Sequence, residues 1–235
     1  MAVERAAIAV LAVALSAASP AFADPDFDAP KNAPREVLAA DARAGCLADY
    51  AEPVGDMPCQ LAKFGAIGTF NGHSFDYARY AFTTEGGGSM GGRVLIFERL
   101  DGDRLRILFV PEIIGGPFYN PKLIGTPAGV LLHFAGFDTG TGNFNRERLY
   151  IWRTSEWRPV DTTSWLDTLA KRLPKGLGAW KGVYPDYRTM KASTPLWRTG
   201  DGNASPTGGR AAIRLGWRGD KIVLQSVSVR RSRGD

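Results

Sequence analysis

The stretch Arg93-Val94-Leu95-Ile96-Phe97-Glu98-Arg99-Leu100-Asp101-Gly102, running on from Asp103 to Val110, decides the fold class. Two apolar-rich runs flank Asp-Gly, a dipeptide that accepts the positive φ angles of a two-residue hairpin turn. The arrangement recurs near the C-terminal end. There Arg210 to Arg218 turns at Gly219-Asp220 into Lys221 to Arg230, and Ala211, Ile213, Leu215 and Trp217 alternate with other residues, so one face is buried. A third hairpin pairs Arg148-Leu149-Tyr150-Ile151-Trp152 with Trp157 to Val160. Further strands are expected at 65–70, 75–83 and 129–135. With 28 Gly and 15 Pro among 235 residues, the chain is rich in turn formers, which argues against a mainly helical fold.

Each of the three hairpins opens with Arg-x-x-Ile: Arg93/Ile96, Arg148/Ile151 and Arg210/Ile213. The expectation is a mainly-β domain over 34–235, its antiparallel hairpins set in a propeller-like meander or a twisted sandwich. Two short helices accompany it. One spans about 34–44: Pro34 suits a helix start, Val37, Leu38 and Ala42 share a side, and Gly45 stops it. The other lies near 164–173. Ser164-x-x-Asp167 reads as a capping start, Trp165, Leu166, Leu169 and Leu173 form an apolar stripe, and Lys171-Arg172 suit the negative end.

Residues 1–23 read as an address. The apolar run Ala6 to Ala18 ends in Ala21-Phe22-Ala23, a small-residue cleavage pattern, and is too short to span a bilayer. Residues 24–33, with three Asp and two Pro, read as a flexible leader. Export to the periplasm or beyond follows, with no stable membrane insertion once the signal is removed. In an oxidising compartment Cys46 and Cys59 are expected to pair, closing a small loop. Their spacing excludes C-x-x-C redox chemistry.

Lys and Arg number 29 against 24 Asp and Glu, a net charge of +5. This excess suits anionic envelope polymers or lipid headgroups, but no module for nucleic acid appears. The only basic cluster is Arg230-Arg231-Ser232-Arg233.

Aromatic rings, charges of both signs and turn residues crowd together between Trp180 and Gly209. Trp180, Lys181, Tyr184, Asp186, Tyr187, Arg188, Trp197, Arg198 and Asp201 form the candidate ligand-binding set, since rings with polar edges beside charges on irregular backbone make a recognition surface. The competing structural reading has the same rings capping a β core.

No complete catalytic motif is present. Gly87-Gly88-Ser89-Met90-Gly91 matches G-x-S-x-G, yet a strand rather than a helix follows the serine. Asp138-Thr139-Gly140 matches one half of an aspartic protease site and has no second copy. His73 and His133 lack companions at ligand spacing; His133 reads as a hydrogen-bonded residue on a sheet and His73 as a turn residue. Asp201, Asn203 and Ser205 imitate the first positions of a calcium loop, but Pro206 stands where glycine is required. No metal or cofactor is expected.

Gly178-Ala179-Trp180-Lys181-Gly182-Val183-Tyr184-Pro185-Asp186-Tyr187, then Pro195-Leu196-Trp197 and Pro206-Thr207-Gly208-Gly209, resembles a group of uncharacterised exported bacterial all-β proteins over the C-terminal half. The resemblance carries no activity. It implies a cysteine pair before Pro206, where this chain has Ala204 and Ser205.

The sequence therefore points to an exported periplasmic binding module, its partner an envelope glycan, a peptidoglycan fragment or a protein. The alternative is an envelope hydrolase using a carboxylate pair drawn from Asp138, Asp186 and Asp201. A structural role without a discrete ligand is the third reading.

Overall fold

In the computed structural model the described residues are 35–47, 50, 58–83, 89–110, 119–137, 142 and 144–230. The signal and leader (1–33) and the Asp138-Thr139-Gly140 motif lie outside them, as do Gly87 and Gly88.

The chain opens with strand β1 (Glu36–Leu38) and helix α1 (Ala39–Ala44). A helix was expected from residue 34. Instead Glu36, Val37 and Leu38 pair with Arg106, Leu105 and Arg104, and the Arg104 guanidinium donates to Glu36 Oε2 at 3.1 Å. Closing a sheet edge satisfies more backbone groups here than one extra helical turn would. Leu38, expected on the buried side, is consequently exposed, and Ala39 and Ala42 are the buried residues of α1.

Strands β2 (Cys59–Phe70), β3 (His73–Thr83), β4 (Ser89–Arg99) and β5 (Arg104–Phe109) then form an antiparallel meander, with β1 added at its far edge. Asn71 and Gly72 make the β2–β3 turn, both at positive φ. The Asp101-Gly102 turn holds one residue more than expected. The Leu100 amide donates to Arg104 O, so Asp103 joins the loop, and its carbonyl accepts from the Ala39 amide at 2.8 Å where α1 begins. The disulfide Cys46–Cys59 joins the segment after α1 to the first residue of β2.

A second meander contains β6 (Lys122–Thr126), β7 (Gly129–Phe134), β8 (Arg148–Arg153) and β9 (Glu156–Pro159). Helix α2 (Ser164–Arg172) follows. The short β10 (Leu177–Gly178) pairs with β12 (Trp197–Arg198), while β11 (Lys191–Pro195), β13 (Arg210–Arg218) and β14 (Lys221–Arg230) build a third sheet in the order β11-β13-β14.

The sheets stack. One face of the first lies under α1, Ala78, Tyr80, Leu95, Phe97, Leu105 and Ile107 enclosing Ala39 and Ala42. Its other face meets the second sheet through Phe75, Tyr77, Ile96 and Phe109 against Leu132, Phe134 and Tyr150. The far side of the second sheet (Leu131, Leu149, Ile151) packs with α2 against Ile213, Leu215, Ile222 and Leu224 of the third. The fold is mainly β, a series of antiparallel meanders that do not close into a barrel. Ile96, Ile151 and Ile213, the isoleucines of the Arg-x-x-Ile pattern, each sit buried on an inner strand of a different sheet.

Asp161 ties the second and third sheets together. Its backbone pairs with Lys221, and Lys221 Nζ lies 3.0 Å from its carboxylate. The same carboxylate, rather than a Ser164/Asp167 box, caps α2, accepting from the amides of Thr163 and Ser164 and from the Ser164 hydroxyl. Burial raises this carboxyl. The bonds from Ser164, Lys221 and Thr163 together outweigh that effect and hold it well below the usual aspartate range. No helix among the described residues is long and apolar enough to cross a membrane.

Candidate functional site

The expected site residues separate into a surface group and a core group. Trp180 and Tyr184 keep 38% and 46% of their surface exposed, whereas Tyr187 and Trp197 keep only 2% and 1%. Trp197 belongs to the short pair β10–β12, and Trp180 stacks on it with ring centres 5.9 Å apart and planes 14° from parallel. Lys181 Nζ lies 5.9 Å from the Trp197 ring centre, within cation–π range. One indole therefore supports another: Trp197 forms the buried floor and Trp180 the exposed tile.

The acidic members hold turns. Asp186 Oδ1 accepts from the Arg188 amide at 2.9 Å and Oδ2 from the Thr189 hydroxyl at 2.8 Å, closing the loop that starts β11. Asp201 accepts from the Thr207 amide and hydroxyl and from the Arg198 amide, all at 2.7–2.8 Å. These bonds keep both carboxyls below the ordinary aspartate value, led by the Thr189 hydroxyl for Asp186 and the Thr207 amide for Asp201. An acid/base pair requires one carboxyl raised instead. Arg188 is exposed beside the Asp186 turn, and Arg198 is half-buried on β12.

Tyr187 leads inward to a polar cluster that was not anticipated. Its hydroxyl donates to Glu147 Oε1 at 2.5 Å, and His133 Nε2 lies 3.0 Å from Glu147 Oε2. His133 Nδ1 is buried without a hydrogen-bond partner among the described residues. The Tyr187 and His133 rings meet edge to face at 5.4 Å. Burial first, and the Glu147 charge second, push the Tyr187 hydroxyl well above its usual value, so it stays a donor.

Asn145 carries this cluster to the surface. Its amide nitrogen donates to Glu147 Oε1 at 3.3 Å and to Val183 O at 2.7 Å, and its oxygen accepts from the Val183 amide at 2.8 Å. The neighbouring Gly182 amide donates to Gly142 O. Both backbone groups of Val183 are thus held by one side chain, as a missing strand would hold them.

The strap so fixed, residues 177–183, forms one wall of a cleft of about 320 Å³. Helix α2 forms the other wall through Leu166, Leu169, Ala170 and Leu173, with Phe144 and Asn145 at one end. The α2 stripe does two jobs: Trp165 buries into the core, Leu166 and Leu173, only partly covered, face the cleft, and the buried Leu169 contributes to both. Among the described residues Phe144, 54% exposed, is with Trp180 and Tyr184 one of the few large apolar side chains left in solvent. The lining is apolar except for Lys181, Asn145 and the backbone.

Phe144, Asn145 and Glu147 escaped the sequence reading. The available signal was the alternation of Asn145, Glu147 and Leu149, which continues the inward face of β8 beyond its apolar part. Among the described residues no group of three His, Cys, Asp or Glu could hold a metal ion. No protein-family model, curated protein or solved structure matches the chain.

Proposed function

We propose that this protein is a non-catalytic binding module of the cell envelope, and that its ligand site is the cleft between α2 and the 177–183 strap. The observation that carries this reading is an apolar cleft of side-chain size with an exposed ring, Phe144, in its lining; Trp180, within the strap, and Tyr184, next to it in sequence, are exposed as well. Exposing large rings costs solvation free energy that a purely structural role would not require. Leu166, Ala170 and Leu173 suit an apolar side chain better than a sugar hydroxyl, and Lys181 suits a nearby carboxylate. A protein partner presenting an apolar anchor beside an acidic residue is the ligand class that fits. Export is supported by the apolar start of the chain and by the disulfide, which persists in oxidising compartments.

The test is selection of peptides from a random library on purified protein, followed by calorimetric titration. Selected peptides should combine an apolar anchor with an acidic residue. Trp180→Ala and Lys181→Ala should each weaken binding at least ~10-fold, the loss of about one anchor contact, with little change in melting temperature. Trp197→Ala should unfold the protein, since removing a buried indole costs about 3–5 kcal/mol. Undiminished binding by both strap variants would place the ligand elsewhere.

A further inference from the structure

Among the described residues, the outward face of the third sheet has no layer over it and carries charge of one sign. Ala211, Ile213 and Leu215 point into the core, so Arg210, Ala212 and Arg214 point out. The register sets Lys191 and Ser226 on either side of Arg214, Ser193 and Ser228 on either side of Ala212, and Pro195 and Arg230 on either side of Arg210. Of these nine positions four are cationic and none acidic. All but Pro195, which is half-buried, are exposed. Among the described residues no carboxylate pairs with Lys191, Arg210, Arg214 or Arg230, and their one side-chain hydrogen bond runs from Arg210 Nη1 to Ser193 Oγ at 3.0 Å. Elsewhere on the molecule, exposed arginines such as Arg104, Arg106 and Arg158 do have carboxylate partners. Asp186, the acid nearest to Lys191 along the chain, bridges to Lys191 through its backbone and turns its carboxylate to Thr189 and the Arg188 amide.

From this placement we infer that the β11-β13-β14 face docks the protein on an anionic phospholipid surface. Four cations occupy a patch ~13 Å along the strands and ~10 Å across them. Serines, Ala212 and Pro195 stand between them, so the face presents charge and small hydroxyls with little apolar surface. No ring stands there to stack on a base or a sugar, and a pleated sheet offers no channel for a single strand of polymer. A face of this kind matches a plane of lipid phosphates. The strand also ends at Arg230, from which the chain continues to Arg231 and Arg233, outside the described residues. The cleft beside α2 takes no part, so docking and ligand capture can occur together.

The experiment is sedimentation of purified protein with phosphatidylcholine vesicles, with and without phosphatidylglycerol. Binding should require phosphatidylglycerol and weaken more than ~10-fold between about 50 mM and about 500 mM salt as the field is screened. Arg214→Gln and Lys191→Gln should each reduce partitioning about fivefold. The quadruple variant with Arg210→Gln and Arg230→Gln added should not sediment, although Arg231 and Arg233 remain. Trp180→Ala should partition as the wild type does. The inference fails if the single variants bind unchanged, if the folded quadruple variant still sediments, or if the wild type ignores the vesicles, including the case in which it binds soluble polyphosphate instead.

Discussion

Replacing Asn145 by aspartate tests whether the buried cluster holds the cleft wall. The side chain keeps its shape but loses both hydrogens, so the bonds to Val183 O and Glu147 vanish while the bond from the Val183 amide survives. The new carboxylate faces Glu147 Oε1 across the 3.3 Å that the amide bond spanned. Two charges at that distance repel by about 5 kcal/mol at an effective dielectric of about 20. The site relieves part of this by taking up a proton, so the introduced carboxyl has its pKa raised on folding. A raised carboxyl makes the native state bind more protons than the unfolded one, and stability then falls as pH rises. We expect Asn145→Asp to lose about 3–5 kcal/mol near pH 7.5, combining residual repulsion with two lost bonds. Near pH 4.5 the loss should shrink to the level of Asn145→Ala, about 2–3 kcal/mol, which reflects the unpaired Val183 backbone and the lost bond to Glu147 without the repulsion. Urea melts of the three proteins at both pH values read this directly. Equal losses for Asn145→Asp at the two pH values would refute charge proximity to Glu147. A wild-type melt for Asn145→Ala would show that the clamp on Val183 holds nothing.

Asp161 gives the opposite pH signature. Its carboxyl is depressed in the folded protein, so the stability it contributes is complete above the ordinary aspartate value and is lost as pH falls below that value. Asp161→Ala should cost about 1–2 kcal/mol at neutral pH through the lost α2 cap, with a smaller difference from wild type in urea melts near pH 3. Reduction of Cys46–Cys59, or its double serine variant, should remove about 3 kcal/mol, the chain-entropy value for a loop of this length. Calorimetry in the presence of a reductant checks this, and no change in the melt would mean that α1 docks without the bridge.

The β character of the chain was legible because hairpins are local. The Gly219-Asp220 turn, the alternation through β13 and the apolar stripe of α2 each depend on residues close in sequence, and each stands where the pattern put it. Asn71-Gly72 and the pairing of β8 with β9 follow for the same reason. The boundaries that shifted were those where a distant partner competed with local preference. Glu36–Leu38 became a strand because the open edge of β5, 68 residues from Glu36 by the Arg104 contact, offered hydrogen bonds that a helix start did not.

The candidate site divides along the same line. Sequence alone located the crowded segment from Trp180 onward, because rings, charges and turn residues can be counted there. It could not tell Trp180 from Trp197, or Tyr184 from Tyr187, since exposure depends on which face the neighbouring sheet covers. Two like rings ended as tile and floor only when β10 paired with β12. Glu147, His133 and Tyr187 meet across 14 and 40 residues of chain, and Asn145 reaches Val183 across 38. The basic face shows the contrast most clearly. Lys191, Arg210, Arg214 and Arg230 are spread over three segments, nothing in the sequence groups them, and they become neighbours only through strand register. Composition and short-range pattern set the fold class, because turns and alternation act over a few residues. Tertiary pairing decided which side chains reach solvent and which charges stand together, because both are properties of surfaces that the folded chain alone creates.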